Sequence, residues 1–416
     1  MPRSVIVVKE LPPLPRPYSY AVKAGGWVFT AGLIGVDGGN AVVGSTPGRP
    51  DVAAQTRRAL ENLTLAMAPL GVTFAQVAKV KGYLTDLRFR DAYNAVYRDF
   101  LEAPYPPRAM VGAGLVRDHI VVEVEAIAPV AGSPQEIRAA GLAAPTAPLS
   151  HAKRAGDVVF VSGFTSRNAK GELVGRGDMR AQAEQTLDNI GVALAAAGMT
   201  FADVIKVNGT VPDWYGFARY NEIFAKYFTE PFPARATIQG PLGTEGALIE
   251  IEAVAARGPR RTVESEAPGA SHFALKRRDD TIYVPGLPGA LAPHSHAVQV
   301  GDLVYLCGEV GYDASGHLVG PSDVRAQTRK TLDNLKLCLE ALGSTMDDIV
   351  KTNVTLTDYR LVEGFNAEYQ TFFTPPYPAR TTVVAGLAQE RMVIEIEAVA
   401  VRGSSQTAVA VTGPSA

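Results

Sequence analysis

Three stretches of this chain, PYPPRAMVGAGL, PFPARATIQGPL and PYPARTTVVAGL, spell almost the same word, and each lies at a fixed distance from two other repeated words. The segments AQTRRALENL, AQAEQTLDNI and AQTRKTLDNL put Gln55, Gln182 and Gln327 in register. The arginine of each proline-rich word, Arg108, Arg235 or Arg380, follows its glutamine by 53 residues. A third set, VVEVEAIA, LIEIEAVA and VIEIEAVA, opens its acidic pair 15 residues after the arginine, at Glu123, Glu250 and Glu395. Self-similarity this strict makes the 416-residue chain three copies of one unit rather than a set of unrelated domains. The copies are expected at residues 1–131, 132–258 and 259–403, with a disordered tail over 404–416.

The front half of each copy is looser. From Gly32 to Gln55 is 23 residues, whereas Gly163 to Gln182 and Gly308 to Gln327 are both 19, so copy one carries extra residues around GGNAVVGSTPGRP, a surface loop by composition. Linkers are expected near PVAGSPQE and across ARGPRRTVESEAPGAS, where Pro, Gly, Ser and charge replace apolar periodicity. Within a copy, GGWVFTAG reads as a strand, and the next segment as a helix with Leu60, Leu63, Met67 and Leu70 on one face. Leu332, Leu335, Leu339 and Leu342 repeat that face in copy three. VAKVKGYLTDL is then a strand, FRDAYNAVYRDF a second helix, and RAMVGAGL and HIVVEVEAIA two closing strands. The order ββαβαββ predicts an α+β sandwich with both helices on one sheet face. The other face needs cover, and two sister copies can supply it.

Composition excludes several classes of function. An apolar fraction of 47% and a charged fraction of 20% fit an ordinary globular chain. With 40 basic against 42 acidic side chains and no basic stripe, neither nucleic acid nor an anionic membrane is an expected partner. The apolar run Val5 to Val8 before Lys9 is too short for a leader or a membrane span, and a cytoplasmic protein is expected. Cys307 and Cys338 cannot build a disulfide framework and read as buried thiols without chemistry.

The ordered set of a glycine-ended strand, QTxxxLxN, YLTD, an aromatic-rich helix, PARxTV and EIEAVA resembles the reactive-intermediate deaminase family (RidA, also called YjgF), three times over and across nearly the whole chain. Members of that family are usually homotrimers of one such domain, with a ligand site in each cleft between subunits. The resemblance implies three tandem RidA-like, chorismate-mutase-like domains closed into a covalent pseudo-threefold trimer. Such a chain needs no partner for its sites, and further oligomerisation stays open.

An arginine where a proline-fixed turn enters a strand has a rigid backbone, and its planar fork suits a carboxylate. The residues alone leave open a structural arginine held by an acidic neighbour. The resemblance implies that Arg108, Arg235 and Arg380 anchor the carboxylate of a 2-imino acid, and that Glu123, Glu250 and Glu395 orient the attacking water. Strand alternation puts Glu123 and Glu125 on one sheet face, and one of such a pair is expected to take a basic partner. The implied reaction is hydrolysis of an imine to a 2-oxo acid and ammonia, without cofactor or metal.

At the family's ligand-facing tyrosine the copies carry Tyr18, Leu149 and His294, and after Gly32, Gly163 and Gly308, where the family has SGQ, stand Leu33, Phe164 and Glu309. Three unlike clefts are therefore expected, with a ligand bulkier or more apolar than a three-carbon imino acid, or with some clefts inactive. His294 and His296 share a strand face, but no cysteine or third histidine occupies a repeated position nearby, so no metal is expected. His151 and Tyr20 at the counterpart of His296 favour packing. Gly25 and Gly26 read as turn residues. Competing readings are a non-enzymatic carboxylate-metabolite binder or chaperone, and a chorismatase-like hydrolase. Ribonuclease activity is the least favoured, for want of a basic stripe.

Overall fold

The computed structural model describes residues 3–14, 16–46, 48–267, 278–407 and 409–412. Each copy contributes two helices: α1 (Val52–Met67) and α2 (Arg90–Phe100), α3 (Met179–Ala196) and α4 (Phe217–Tyr227), α5 (Val324–Ala341) and α6 (Val362–Tyr369). The long helix of each pair starts at an aspartate, Asp51, Asp178 or Asp323, whose carboxylate accepts backbone N–H bonds of the first turn. Its leucines point at the sheet: Leu60 and Leu63, like Leu332, Leu335 and Leu339, are fully buried.

The sheet of each copy repeats one pattern. A hairpin (Ala21–Ala24 with Trp27–Thr30 in copy one) lies beside the acidic strand (Val122–Pro129), which pairs antiparallel with the middle strand (Lys79–Leu84). The middle strand runs parallel to the arginine strand (Arg108–Gly112), with α2 as the crossover. Arg108 faces Val80 across the ladder as Arg235 faces Val207 and Arg380 faces Thr352. Glu123 faces Tyr83 as Glu250 faces Thr210 and Glu395 faces Thr355.

The buried glutamines explain the constant spacing. Gln55 accepts from Val121 N–H at 2.9 Å and donates to His119 O at 2.8 Å. Gln182 makes the same pair of bonds with Leu248 N–H and Gly246 O, and Gln327 with Val393 N–H and Arg391 O. One helix side chain thus stitches each long helix to the start of the acidic strand, where an insertion would orphan two buried groups. The asparagine of QTxxxLxN does likewise, Asn62 donating to Ile34 O and Val36 O.

Behind each sheet a second layer joins the copies: Val158, Phe160, Ile205, Val254, Val298, Tyr305 and Cys307 pack with Trp27 in one apolar cluster. The cover expected from sister copies is present. Three expectations need correction. RAMVGAGL is not one strand: it breaks at Ala113, and Gly114–Leu115 pairs with Val383 and Val384 of copy three. The second linker holds a strand, Arg260–Ser265, whose Thr262 and Val263 are fully buried in copy three's sheet; its residues 268–277 lie outside the described residues. The tail, expected to be disordered, carries a turn at Ser404–Thr407 and a strand at Val409–Thr412 that pairs in parallel with Ser4–Val7. The alternating run VAVT outweighs the Gly, Ser and Pro around it, and residues 408 and 413–416 are outside the described residues. Among the described residues no helix is long and apolar enough to cross a membrane.

Candidate functional site

The three arginines each enter a cleft that belongs partly to another copy. Arg380 of copy three lies 5.2 Å from the Tyr18 ring of copy one, and its backbone carbonyl accepts from Gly32 N–H. Arg235 of copy two accepts in the same way from Gly308 N–H of copy three, and Arg108 of copy one donates its N–H to Ser162 Oγ of copy two at 2.9 Å. The pairings run one to three, three to two and two to one.

Each guanidinium is held without a carboxylate. Arg108 donates to Asn94 Oδ1 at 2.8 Å and lies 5.4 and 4.8 Å from the Tyr93 and Tyr97 rings. Arg235 donates to Asn221 Oδ1 at 2.7 Å over Phe217, Tyr220 and Phe224. Arg380 lies over Phe365 and Tyr369, 4.9 and 5.0 Å away. Nη1 of all three is buried with no hydrogen-bond partner, and among the described residues none forms a salt bridge. The structural alternative, an arginine clamped by an acidic neighbour, is therefore not what holds them. A buried cation whose forked donors stay open favours an incoming anion.

Opposite each arginine stands a glutamate fitted over a glycine. A β-carbon on Gly32 would lie 1.8 Å from Glu123 Oε1, on Gly163 2.3 Å from Glu250 Oε1, and on Gly308 2.4 Å from Glu395 Oε1. Only glycine leaves space for the carboxylate there. Burial, reinforced by the neighbouring Glu125, pushes the Glu123 carboxyl up to about 8 against the pull of Lys351, Arg380 and Arg16. Burial and the second glutamate of the pair also raise Glu250 to about 7 and Glu395 to about 8.

The second glutamates leave the clefts for the middle of the molecule. Glu125 meets Lys351 at 2.7 Å, Glu397 meets Lys206 at 2.7 Å, and Glu252 meets Lys79 and Lys81, both at 3.1 Å. Every one of these pairs joins two copies. The expected basic partner of the second acid thus comes from the middle strand of a sister copy.

The clefts differ in their contents. Between copies one and three a cavity of about 300 Å³ is lined by Tyr18, Gly32, Leu33, Glu123 and Arg380, and also by Arg16 and Arg117. Arg16 and Arg117 were not singled out in the sequence, although copy comparison marks them: their counterparts are Ala147 and Ala292, and Thr244 and Gln389. Between copies two and one, Phe164 takes the place of Leu33 and packs its ring against His151, 5.8 Å away, while Leu149 stands at the tyrosine position.

Between copies three and two, Glu309 does not line an open cleft. Its Oε1 receives His296 Nδ1 at 2.5 Å and Cys307 Sγ at 3.1 Å, and Cys338 lies within 4.8 Å of the His296 and Glu309 ligand atoms. Burial alone would lower the His296 imidazole, but Glu309 outweighs it and raises the group to about 9. His294, also close to His296 and Cys307, is pushed well below its ordinary value by burial. No cysteine occupies a position repeated in the sister copies, yet copy three brings two thiols to this histidine pair: Cys307 is two residues before Glu309 in the chain, and α5 brings Cys338 from far along it.

Residues 9–130, 141–257 and 286–402 each match the family described as Endoribonuclease L-PSP. Single copies are similar to a RutC family protein of Pyrococcus horikoshii, 42% identical over 112 residues, covering 27% of this chain and 88% of the relative. The 2-iminobutanoate/2-iminopropanoate deaminase of Escherichia coli K12 is 38% identical over 125 residues, 29% of this chain and 97% of that protein. A solved chorismatase covers 78% of this chain and 93% of its own at a TM-score of 0.51 and 16% identity, a likeness of fold alone. RidA from the Antarctic bacterium Psychrobacter sp. PAMC 21119 is 35% identical over 30% of this chain and 99% of its own, with a TM-score of 0.28. Matched in three successive segments that together span most of its length, the chain belongs to the Endoribonuclease L-PSP (RidA/YjgF) family and carries three of its domains in tandem.

Proposed function

We propose that this protein hydrolyses a 2-imino acid to a 2-oxo acid and ammonia in the cleft between copies one and three. One observation carries the reading: Arg380, whose buried Nη1 has no hydrogen-bond partner, lines a cavity of about 300 Å³ together with Glu123. The relatives named as deaminases, similar to one copy each, support the chemistry.

The substrate carboxylate takes the open face of the Arg380 fork, which sets the imine carbon toward Glu123. Water held by Glu123 attacks that carbon of the N-protonated imine and gives its proton to the carboxylate, so the imine electron pair stays on nitrogen. The resulting carbinolamine takes a proton on nitrogen, the C–N bond breaks, ammonia leaves, and loss of the hydroxyl proton leaves the 2-oxo acid. A Glu123 carboxyl near 8 is matched to passing a proton back and forth at neutral pH. Leu33, Val116 and Ile120 line the same cavity and suit an apolar substrate body, while Arg16 and Arg117 favour a substrate with a second anionic group.

The test is ammonia release from 2-imino acids generated in place by an amino acid oxidase. Arg380→Ala should lose at least about a hundredfold in kcat/KM, the scale of a mispositioned substrate, while Arg108→Ala and Arg235→Ala should stay near wild type. A wild-type protein that never exceeds the spontaneous rate would end the proposal. Equal losses in all three variants would end the assignment to one cleft.

A further inference from the structure

Both cysteines of the chain, two of its six histidines and a buried glutamate converge at one place. His294, His296 and Cys307 bring ligand atoms within 4.8 Å of one another, and so do His296, Glu309 and Cys338. His296 belongs to both groups.

Copy two shows what the scaffold needs without this chemistry. His151, the counterpart of His296, donates from Nε2 to Ala143 O at 2.9 Å, as His296 donates from Nε2 to Pro288 O at 3.0 Å. The histidine and its backbone acceptor are thus common to both copies. Copy three gathers further ligand groups about this histidine: His294 stands for Leu149, Cys307 for Ser162, Glu309 for Phe164 and Cys338 for Ala193. In copy one the same places hold Tyr18, Ala31, Leu33 and Ala66. Four replacements, separated in sequence and all toward metal-ligating groups, meet only when the fold closes.

The backbone bond at Nε2 is the arrangement that orients a metal-binding histidine, since it fixes the proton there and leaves the Nδ1 lone pair for an ion. With that tautomer Nδ1 points a lone pair at a carboxylate oxygen 2.5 Å away, which needs a positive charge between them. A proton suffices for that one contact. It gives Cys338 nothing to do, and it leaves Cys307 as a weak donor to an oxygen already bonded.

We propose that copy three holds one thiophilic divalent ion, zinc in the simplest case, ligated by His296 Nδ1, Cys307, Cys338 and Glu309, with His294 on the cleft side. Two thiolates, an imidazole and a carboxylate make a closed tetrahedral set of the structural kind. Binding replaces the two thiol protons and the proton held between His296 Nδ1 and Glu309 by bonds to the ion and releases all three to solvent. A tetrahedral ion sets its ligand atoms roughly 3.3–3.8 Å apart, so the Glu309 oxygen moves outward from His296 Nδ1 and Cys307 Sγ, now 2.5 and 3.1 Å away, and the two thiols, which belong to separate groups, draw in around the ion.

The experiment uses the full chain, purified under reductant, stripped with a chelator and titrated with Co²⁺. The expected result is a thiolate-to-cobalt charge-transfer band that saturates at one ion per chain and is bleached by Zn²⁺. Cys307→Ser and Cys338→Ala, which install residues the sister copies already carry, should each weaken the band and lower affinity by at least about tenfold. The double variant should abolish the band. Absence of the band in folded wild type would overturn the proposal, as would a band unchanged in the double variant. The band is read without any enzymatic assay, so the outcome does not depend on the deaminase reading.

Discussion

Glycine and glutamate share a space at each cleft that cannot hold a β-carbon as well. Gly32→Ala should push Glu123 out of place, lowering kcat/KM at the cleft of copies one and three and costing about 1–3 kcal/mol of stability; steady-state kinetics and urea unfolding check both. The same carboxyls set a pH dependence. Glu123, Glu250 and Glu395 are raised in the folded chain from an ordinary 4.5 to about 8, 7 and 8, so the native state holds protons that the unfolded chain has lost. Their contribution is whole below pH 4.5 and falls as pH rises toward 7 to 8, by roughly 1 kcal/mol per pH unit for each group. Melting curves across that window should show the decline, and Glu123→Gln should make it shallower; an equal slope in the variant would rule out Glu123 as a source of it. The arginines and glutamates of the clefts stood out in the sequence because three copies repeat them. Arg16 and Arg117 did not, and Cys338 read only as a buried thiol, because each occurs once, and a repeat draws the eye to what is shared rather than to what one copy alone has gained.

The long helix and the acidic strand form one mechanical element through their glutamine. Gln327→Ala would leave Val393 N–H and Arg391 O unpaired in the interior, at about 2 kcal/mol or more, and amide exchange at Val393 should quicken accordingly. Helices and strands of the repeat were legible because their apolar periods are strong and occur three times. The strands Arg260–Ser265 and Val409–Thr412 were not. Each is short, sits among linker-like residues, and gains its place from an edge that only the finished sheet provides. Their period-two patterns, RTVE and VAVT, were the available signal.

Across the whole molecule the copies are tied through buried lysine–glutamate pairs. Lys351→Met would strand Glu125, which Lys351 and Asn353 now hold, and should cost about 3–5 kcal/mol in urea unfolding. Adding Glu125→Leu should recover much of the loss, since two apolar groups replace both charges. Because every cleft and every central ion pair already joins two copies of the same chain, we expect the mass of a single chain in solution to support a complete set of sites; sedimentation showing activity only in a larger assembly would refute this. The strand at the front, Ser4–Val7, lies beside the edge strand at the back, Val409–Thr412. Arg3 anchors the same seam by donating to the carbonyls of Asp347 and Pro376. The chain therefore closes as a loop in space, and where it is cut becomes a matter of convenience. A circular permutant that joins these strands through roughly eight flexible residues, enough to run back along one strand, and opens instead in the linker between copies one and two should refold with all three clefts intact.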